Sequence, residues 1–349
     1  MCAVRLPGLA DVLEPRALGT LLGPVDRVEE APFATTGYSG SRHTRVTLVL
    51  RAGESRAFVL KRTSLAENWV ARFSHDDVGR EEAWLHVPRL VRVGEHFALP
   101  YLASARAGQR HALLMEDLTA SLFPDVREPL GRDSEDALLG ALAGMHAHYW
   151  DRRDLPLDLL ATFESFLDLL GPRRARDPDG LSLLPDPMAE RLVEGWSDAL
   201  RILPPRVSEA LARPAADIAN ALGPLPQTVV HGDAKVANFA RMPDGRVAGL
   251  DWSLIGRAPA GADLGWYIAV NATRLARTRE EVLDRYRRLL ETRLGHELPS
   301  DLWERMRTAA IVAGARMLLW SKAWALRTGG ERERNEWAWW ARELERWAG

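Results

Sequence analysis

The chain has 349 residues, of which 46% are hydrophobic and 27% are charged, and these values are typical of a globular protein large enough for two lobes. Its formal net charge of −2 gives no electrostatic reason to expect nucleic acid or an anionic membrane as a partner. The single cysteine excludes an internal disulfide and a metal site of several cysteines. Because the sequence has neither a signal-peptide core nor an apolar run of transmembrane length, we expect a cytoplasmic protein.

The N-terminal region predicts short helices followed by a pair of strands. Residues 9–22 have a helical pattern that Pro15 interrupts, and the alternation at 45–51 and 57–62 predicts two strands. Small residues at 35–41 predict a turn before the first of these strands.

Lysine is rare in this chain, and its positions are therefore informative. There are only three lysines, Lys61, Lys235 and Lys322, whereas every other basic residue apart from histidine is arginine. A lysine in such a chain suggests a place where the compact charge of an ammonium group is needed rather than the planar guanidinium group of arginine. Lys61 lies near the end of the second predicted strand, on the same face as Val59.

The middle and C-terminal regions are mostly helical in pattern. An apolar strand at 113–118 turns acidic at its end, and the Pro- and Gly-containing stretch at 119–133 predicts a boundary near Leu118. An amphipathic helix follows at 133–150. Further helices are predicted in 155–225 and at 278–294, 301–327 and 331–347.

The segment His231-Gly-Asp-Ala-Lys-Val-Ala-Asn238 carries the strongest chemical signal. It leaves a buried strand that ends at Val230 with polar groups that packing does not require. Asp244-Gly245 then predicts a two-residue hairpin turn, and that register places Asn238 directly opposite Asp251. Directly opposed Cβ atoms lie roughly 4.5–5.5 Å apart, so the two side-chain oxygens would share one hard cation such as Mg²⁺.

This segment, followed by Leu250-Asp251-Trp252, resembles the catalytic and metal-binding segments of the aminoglycoside phosphotransferase and choline kinase-like superfamily. The stretch Leu142–Trp150 is most similar to the ecdysteroid kinase-like branch. The resemblance implies an α+β, bilobal, protein kinase-like fold. A small antiparallel β lobe with one key helix would span residues 1–118, and a larger, mainly helical catalytic and acceptor-binding lobe would span 119–349.

The resemblance also assigns the nucleotide-binding residues. Lys61 would hold the α- and β-phosphates of ATP, with GTP as an alternative, and Glu81 would pair with Lys61. Glu82 is the rival for that pairing, since adjacent helical residues face different ways.

Two backbone segments complete the implied nucleotide site. The turn with Gly37, Gly40 and Ser41 would present backbone N–H groups to the phosphates. The segment from Glu116 to Leu118 would form the hinge that binds adenine.

For catalysis the resemblance implies that Asp233 accepts the proton of the acceptor hydroxyl and that Lys235 contacts the γ-phosphate. Asn238 and Asp251 would ligate Mg²⁺. Asp263, at or near the N-cap of the next helix, would also hydrogen-bond the catalytic-loop backbone.

The predicted function is phosphorylation of a hydroxyl group on a small molecule such as an antibiotic, a sugar, an amino alcohol or a steroid. Protein kinase activity is one alternative, against which stand Gly232 in place of the arginine of the H-R-D pattern and the lack of an Ala-Pro-Glu segment. A catalytically inactive nucleotide-binding module is another. The sequence leaves the acceptor and the oligomeric state open.

Overall fold

The structure, a computed structural model, describes residues 3–33, 39–51, 53–123 and 128–349. They form two compact units. The first unit gathers the described residues of 1–124 and 237–253, and the second gathers those of 125–236 and 254–349. The stretch 237–253, which the sequence analysis assigned to the C-terminal lobe, thus groups with the N-terminal part of the chain, and the two lobes remain a prediction as functional units.

The helices and strands alternate irregularly along the chain, as in α+β proteins. In chain order they are β1 (Val4–Leu6), α1 (Pro15–Leu22), β2 (Val25–Pro32), β3 (Arg42–Leu50), β4 (Ser55–Ser64), α2 (Trp69–Phe73), α3 (Arg80–Ala83), β5 (Tyr101–Ala107), β6 (Arg110–Glu116), α4 (Arg132–His148), β7 (Ala161–Thr162), α5 (Phe163–Leu169), α6 (Pro178–Leu181), α7 (Asp186–Ile202), α8 (Pro205–Ala212), α9 (Ala215–Ala221), β8 (Thr228–Val230), β9 (Phe239–Arg241), β10 (Val247–Gly249), β11 (Gly256–Ala258), α10 (Gly261–Val270), α11 (Arg279–Leu294), α12 (Ser300–Ala325) and α13 (Glu331–Ala348).

The predicted α+β class is confirmed, and the long elements lie where the sequence places them. Helices α4, α11, α12 and α13 match the four long helical patterns to within two residues at each end. Pro15 begins α1 at its first turn, where its missing N–H costs nothing. None of the helices in the described residues is long and apolar enough to cross a membrane.

A six-stranded sheet forms the centre of the first unit. Its strand order is β1-β5-β6-β4-β3-β2, and all neighbours are antiparallel except β1 and β5. One face of the sheet packs its apolar residues, including Val46, Phe58 and Leu114, against Leu18 of α1. Because strand side chains alternate, Lys61 of β4 projects from the other face.

The hairpin of β9 and β10 differs in register from the prediction. Ala240 pairs with Ala248, and Met242 N–H donates to Arg246 O at 2.9 Å, so three residues, 243–245, form the loop instead of two. Gly245, with φ of +85°, supplies the left-handed residue that such a three-residue loop requires. The register therefore shifts by one residue, and Asn238 lies opposite Leu250 and not opposite Asp251; the predicted direct pairing was wrong.

In the second unit, α10 packs against the long α12 at a place where only glycine fits. A Cβ atom on Gly265 would lie 2.0 Å from the carbonyl oxygen of Ala310, and one on Gly314 would lie 2.4 Å from the carbonyl oxygen of Gly265. The obstructing atoms belong to the backbone and cannot move away without displacing a helix. This close approach fixes α10 in the second unit.

We therefore expect Gly265→Ala to lower the free energy of unfolding by about 2 kcal/mol or more, as overpacking against backbone does. The matched control is Gly140→Ala in α4, where an added Cβ meets nothing within 4 Å. That change should raise stability by about 0.5–1 kcal/mol, because alanine loses less entropy than glycine in a helix. Urea unfolding of both variants gives the comparison, and equal effects would contradict the packing argument.

Candidate functional site

A buried lysine lies between two carboxylates in the first unit. Lys61 Nζ on β4 is 2.7 Å from a carboxylate oxygen of Glu81 on α3 and 2.8 Å from Oδ1 of Asp251. The Lys61 and Glu81 side chains are 4% and 3% exposed, whereas Asp251 keeps 33% of its side-chain surface accessible. Three residues singled out by the sequence are therefore in direct contact.

The charges of this cluster do not cancel. Burial disfavours the ammonium form of Lys61, but Asp251 and Glu81 outweigh that cost and raise the pKa of Lys61 above its ordinary value. Burial, together with the negative charge of Asp251, raises the pKa of Glu81 to about 7 in spite of Lys61. One lysine facing two carboxylates leaves an excess of negative charge beside the accessible Asp251.

The neighbouring Glu82 is used elsewhere. It accepts hydrogen bonds from Arg5 Nε and from the hydroxyl of Ser104, both at 2.8 Å. Although burial opposes it, hydrogen bonds from His86, Arg5 and Ser104 lower the pKa of Glu82 to about 2. Of the two adjacent glutamates, Glu81 is thus the partner of Lys61.

An aromatic cluster holds the segments of Glu81 and Asp251 together within the first unit. The ring of Trp252 is fully buried, 5.2 Å from that of Trp84 and 5.5 Å from that of Phe97 between ring centroids. Asp251 itself has φ of +55°, a left-handed conformation that is uncommon for a residue other than glycine. Strain of this kind concentrates at functional sites.

The small-residue turn before β3 is described from Ser39 onwards. Gly40 has φ of +85°, and the Ser41 hydroxyl lies 3.0 Å from that of Thr63, two residues after Lys61. The predicted Gly37 lies outside the described residues. Gly40 and Ser41 are therefore tied to the strand that carries Lys61.

The predicted hinge follows β6. Glu116 N–H donates to Pro100 O at 2.9 Å, which keeps the strand end in place. Leu118 is buried against Ala240 and Ala248 of the β9–β10 hairpin. The binding of adenine at this segment stays a prediction.

In the second unit, α10 and the residue that follows it hold the loop of residues 231–236 in place. The Asp263 carboxylate accepts hydrogen bonds from the backbone N–H groups of His231 at 2.8 Å and of Gly232 at 2.7 Å. Asn271, which follows α10, accepts from Val236 N–H at 2.9 Å and donates to Ala234 O at 3.0 Å. Two side chains at the two ends of one helix thus fix the loop at both of its ends.

Asp263 is fully buried and does not cap its helix. Ala260 occupies the N-cap position, so the predicted hydrogen bonding to the loop is observed and the predicted capping is not. The carboxylate also accepts a hydrogen bond from His146 Nε2 at 3.1 Å. Burial opposes ionisation, yet the hydrogen bonds from His146 and from the backbone of His231 lower the pKa of Asp263.

Gly232 explains the departure from the H-R-D pattern. Its φ is +81°, and an added Cβ would lie 2.3 Å from the carbonyl oxygen of Leu254 and 2.8 Å from the ring of Phe166. A larger side chain would displace the loop. The next amide, of Asp233, donates to His231 Nδ1 at 3.2 Å, so that this ring nitrogen acts as an acceptor in the loop structure.

The sequence analysis missed Trp266, which contacts the predicted base. Its indole Nε1–H donates to Asp233 Oδ1 at 2.5 Å, and both side chains are half-buried in the second unit. Trp266 lies on α10 one turn after Asp263, and a helical tryptophan alone gives no signal for this contact. The same helix therefore positions both the backbone and the carboxylate of the loop.

Asn238 and Asp251 both belong to the first unit, and the hairpin register between them is shifted by one residue from the predicted one. Asn238 O accepts from Leu250 N–H at 2.9 Å, so the backbone at Asn238 lies beside the residue before Asp251. An amide oxygen and a carboxylate are suitable ligands for Mg²⁺. The excess negative charge around Lys61 also fits a cation at Asp251.

Comparisons with known proteins agree with this chemistry. The model of the phosphotransferase enzyme family matches residues 37–308, well over half of the chain, and confirms the predicted relationship to the aminoglycoside phosphotransferase superfamily. A comparison with curated proteins finds no match. The ecdysteroid kinase-like branch stays a prediction.

The solved structures that this chain matches include three phosphotransferases. Choline kinase LicA from Streptococcus pneumoniae is 12% identical, with 96% of this chain and 99% of that chain covered and a TM-score of 0.48. Aminoglycoside phosphotransferase APH(3'')-Id from Streptomyces rimosus ATCC10970 is 17% identical, with coverage of 89% and 99% and a TM-score of 0.41. Macrolide 2'-phosphotransferase MphH from Brachybacterium faecium is 15% identical, with coverage of 96% and 98% and a TM-score of 0.42.

We expect Asp263→Asn to lower the free energy of unfolding at pH 7 by about 3–5 kcal/mol, because it leaves buried N–H donors without their carboxylate. The folded-state pKa of Asp263 is depressed, so its contribution is complete above the unfolded pKa of about 3.9 and is lost as the pH falls through the lower folded pKa. The difference between wild type and variant should be constant from pH 7 to about pH 5 and shrink below about pH 4.

Urea unfolding at a series of pH values measures this difference. The exposed Asp158 provides the control, since Asp158→Asn should change stability by less than about 0.5 kcal/mol at every pH. A difference for Asp263→Asn that grows towards acid pH would contradict the assignment.

Proposed function

Because this chain belongs to the phosphotransferase enzyme family, we propose that it transfers the γ-phosphoryl group of ATP to a hydroxyl group of a small molecule. The observation that carries the proposal is the buried contact of Lys61 with both Glu81 and Asp251. The two carboxylates keep the buried Lys61 ammonium group charged and fixed in place, which is the state that holding phosphate oxygens requires.

In this proposal the first unit binds the nucleotide. Lys61 holds the α- and β-phosphates, and Glu81 keeps the ammonium group in place at 2.7 Å. The turn that includes Gly37, Gly40 and Ser41 covers the phosphates with backbone N–H groups. The backbone between Glu116 and Leu118 binds adenine, and GTP stays an alternative to ATP.

Asn238 and Asp251 are the proposed Mg²⁺ ligands. Asp251 already faces a cation, since its Oδ1 lies 2.8 Å from Lys61 Nζ, and 33% of its side-chain surface stays accessible to a metal. When bound, Mg²⁺ neutralises charge that develops on the bridging phosphate oxygens.

In the proposed reaction Asp233 is the general base. As the acceptor oxygen forms a bond to the γ-phosphorus, its proton passes to the Asp233 carboxylate, and the bond from the γ-phosphorus to the bridging oxygen breaks to release ADP. Trp266 orients the carboxylate through its bond to Oδ1. Lys235, two residues after Asp233, contacts the γ-phosphate in this scheme.

The acceptor is proposed only as a class, a hydroxyl compound that is neither nucleic acid nor part of a membrane, and the cytoplasmic location stays a prediction. Protein kinase activity is disfavoured by Gly232, where no arginine fits. An inactive nucleotide-binding module is disfavoured because Lys61, Asp233, Asn238 and Asp251 are all present.

A screen for ATP consumption over a library of small hydroxyl compounds tests the proposal, with Asp233→Asn as the matched control. We expect at least one compound to be phosphorylated, and Asp233→Asn to lower kcat by about 10²–10⁴, the usual contribution of a general base. Nucleotide affinity should be nearly unchanged, because Asp233 contacts the acceptor. Near-normal turnover of Asp233→Asn would remove this residue from the mechanism.

Trp266→Phe should lower kcat about tenfold, because it removes a hydrogen bond to a charged group and keeps the aromatic ring. Since a hydrogen bond to a carboxylate favours its charged form, the acid limb of the pH profile of kcat should move to higher pH. Steady-state kinetics from pH 5 to 9 measures both effects. A change in KM alone, with an unmoved acid limb, would show that Trp266 only lines the acceptor site.

A further inference from the structure

A cavity of about 330 Å³ lies in the second unit, outside the residues assigned to catalysis. Its walls come from the segments 157–164 and 219–227 and from Arg257 and Pro259. Its volume falls in the range of small-molecule pockets, which combine mostly apolar walls with a few placed polar groups.

Arg257 is the polar group that needs an explanation. It lies in the middle of β11, between Val229 of β8 and Thr162 of β7. The side chain is half-buried, and its Nε is fully buried without a hydrogen-bond partner among the described residues. A buried charged donor without an acceptor is costly, and because this Nε has almost no accessible surface, a molecule in the cavity would pair with the terminal nitrogens of the same guanidinium.

Apolar surface makes up about half of the cavity wall. Leu160, Phe163 and Leu225 line it with buried side chains, and Leu157 lines it with 56% of its surface exposed. A large aliphatic side chain that is this exposed at a cavity offers apolar surface to a bound molecule.

Acidic groups at the cavity are few. Glu164 is the only carboxylate among the lining residues, it is exposed, and it forms no ion pair with Arg257. The charge of Arg257 is therefore not neutralised from within the described part of the chain, and an anion is the complementary ligand.

We propose that this cavity binds a small organic carboxylate whose acidic group pairs with Arg257 and whose apolar body lies against Leu157, Leu160 and Leu225. The guanidinium fork matches a carboxylate in two parallel hydrogen bonds, which gives both affinity and orientation. This site is separate from the proposed phosphoryl transfer, since its lining residues include neither Asp233 nor any proposed nucleotide or metal ligand.

Calorimetric titration of the full chain with 4-phenylbutyrate and with its uncharged analogue 4-phenylbutanol tests the proposal without any need for activity. We expect the carboxylate to bind at least about tenfold more tightly than the alcohol, since a charge-assisted bidentate pair separates them. Equal affinities, or no binding of the carboxylate at millimolar concentration, would overturn it.

Four variants locate the site. Arg257→Gln should lower the affinity for 4-phenylbutyrate at least about tenfold and leave the affinity for 4-phenylbutanol unchanged. Arg257→Lys keeps the positive charge without the forked guanidinium, so its loss of affinity for 4-phenylbutyrate should be smaller. Arg293→Gln, at an exposed arginine on α11, should change nothing. Glu164→Gln should raise the affinity for 4-phenylbutyrate, because it removes a like charge from the cavity.

The outcomes separate the alternatives. If Arg257→Gln binds the carboxylate as wild type does, or if Arg293→Gln weakens it equally, the site is not at Arg257 and the proposal fails. If Glu164→Gln weakens 4-phenylbutyrate as much as Arg257→Gln does, Glu164 is not a like charge that opposes the ligand, and the proposed arrangement is wrong. Failure of phosphorylation in the hydroxyl screen would leave these binding results unaffected.

Discussion

The segment from His231 to Asn238 depends on one buried carboxylate. Asp263 accepts hydrogen bonds from two consecutive backbone N–H groups, of His231 and Gly232, and from the ring of His146, and all of these groups are buried. A carboxylate in such a place is stable only because each donor faces it, and the donors would be unsatisfied without it. The loop therefore needs the Asp263 carboxylate as its acceptor, and the buried carboxylate needs the loop N–H groups as its donors. The close contact at Gly265 and Gly314 fixes α10, and with it Asp263, against α12.

The sequence predicted those parts of the molecule that local rules determine. The long helices follow from a period of 3.6 residues, and Lys61 follows from alternation along a strand. Family resemblance supplied Glu81, and the adjacent Glu82 could not be separated from it by sequence alone. The choice was made by distant partners, since Arg5 and Ser104 take Glu82 while β4 brings Lys61 to Glu81.

Three features could not be predicted from the sequence, namely the hairpin register and the roles of Trp266 and Arg257. They depend on a shift of one residue or on contacts between elements that are distant in the chain. Asp244-Gly245 signalled a turn correctly but not its length, and the loop took Pro243 as a third residue. Trp266 and Arg257 gave no local signal at all. Trp266 reaches Asp233 only because α10 carries its indole N–H there. Arg257 faces a cavity only because three short strands and two inserted segments meet around it.

The same geometry explains why this loop differs from that of a protein kinase. In protein kinases a loop or activation segment is ordered by pairs between arginine and phosphorylated side chains. Here the position of that arginine is Gly232, and a Cβ there would lie 2.3 Å from a carbonyl oxygen. The loop obtains its order from the buried Asp263 and from Asn271, which carry permanent hydrogen bonds to the backbone. A loop held in this way is ordered by buried side chains of its own unit and does not depend on a phosphorylated side chain for its order.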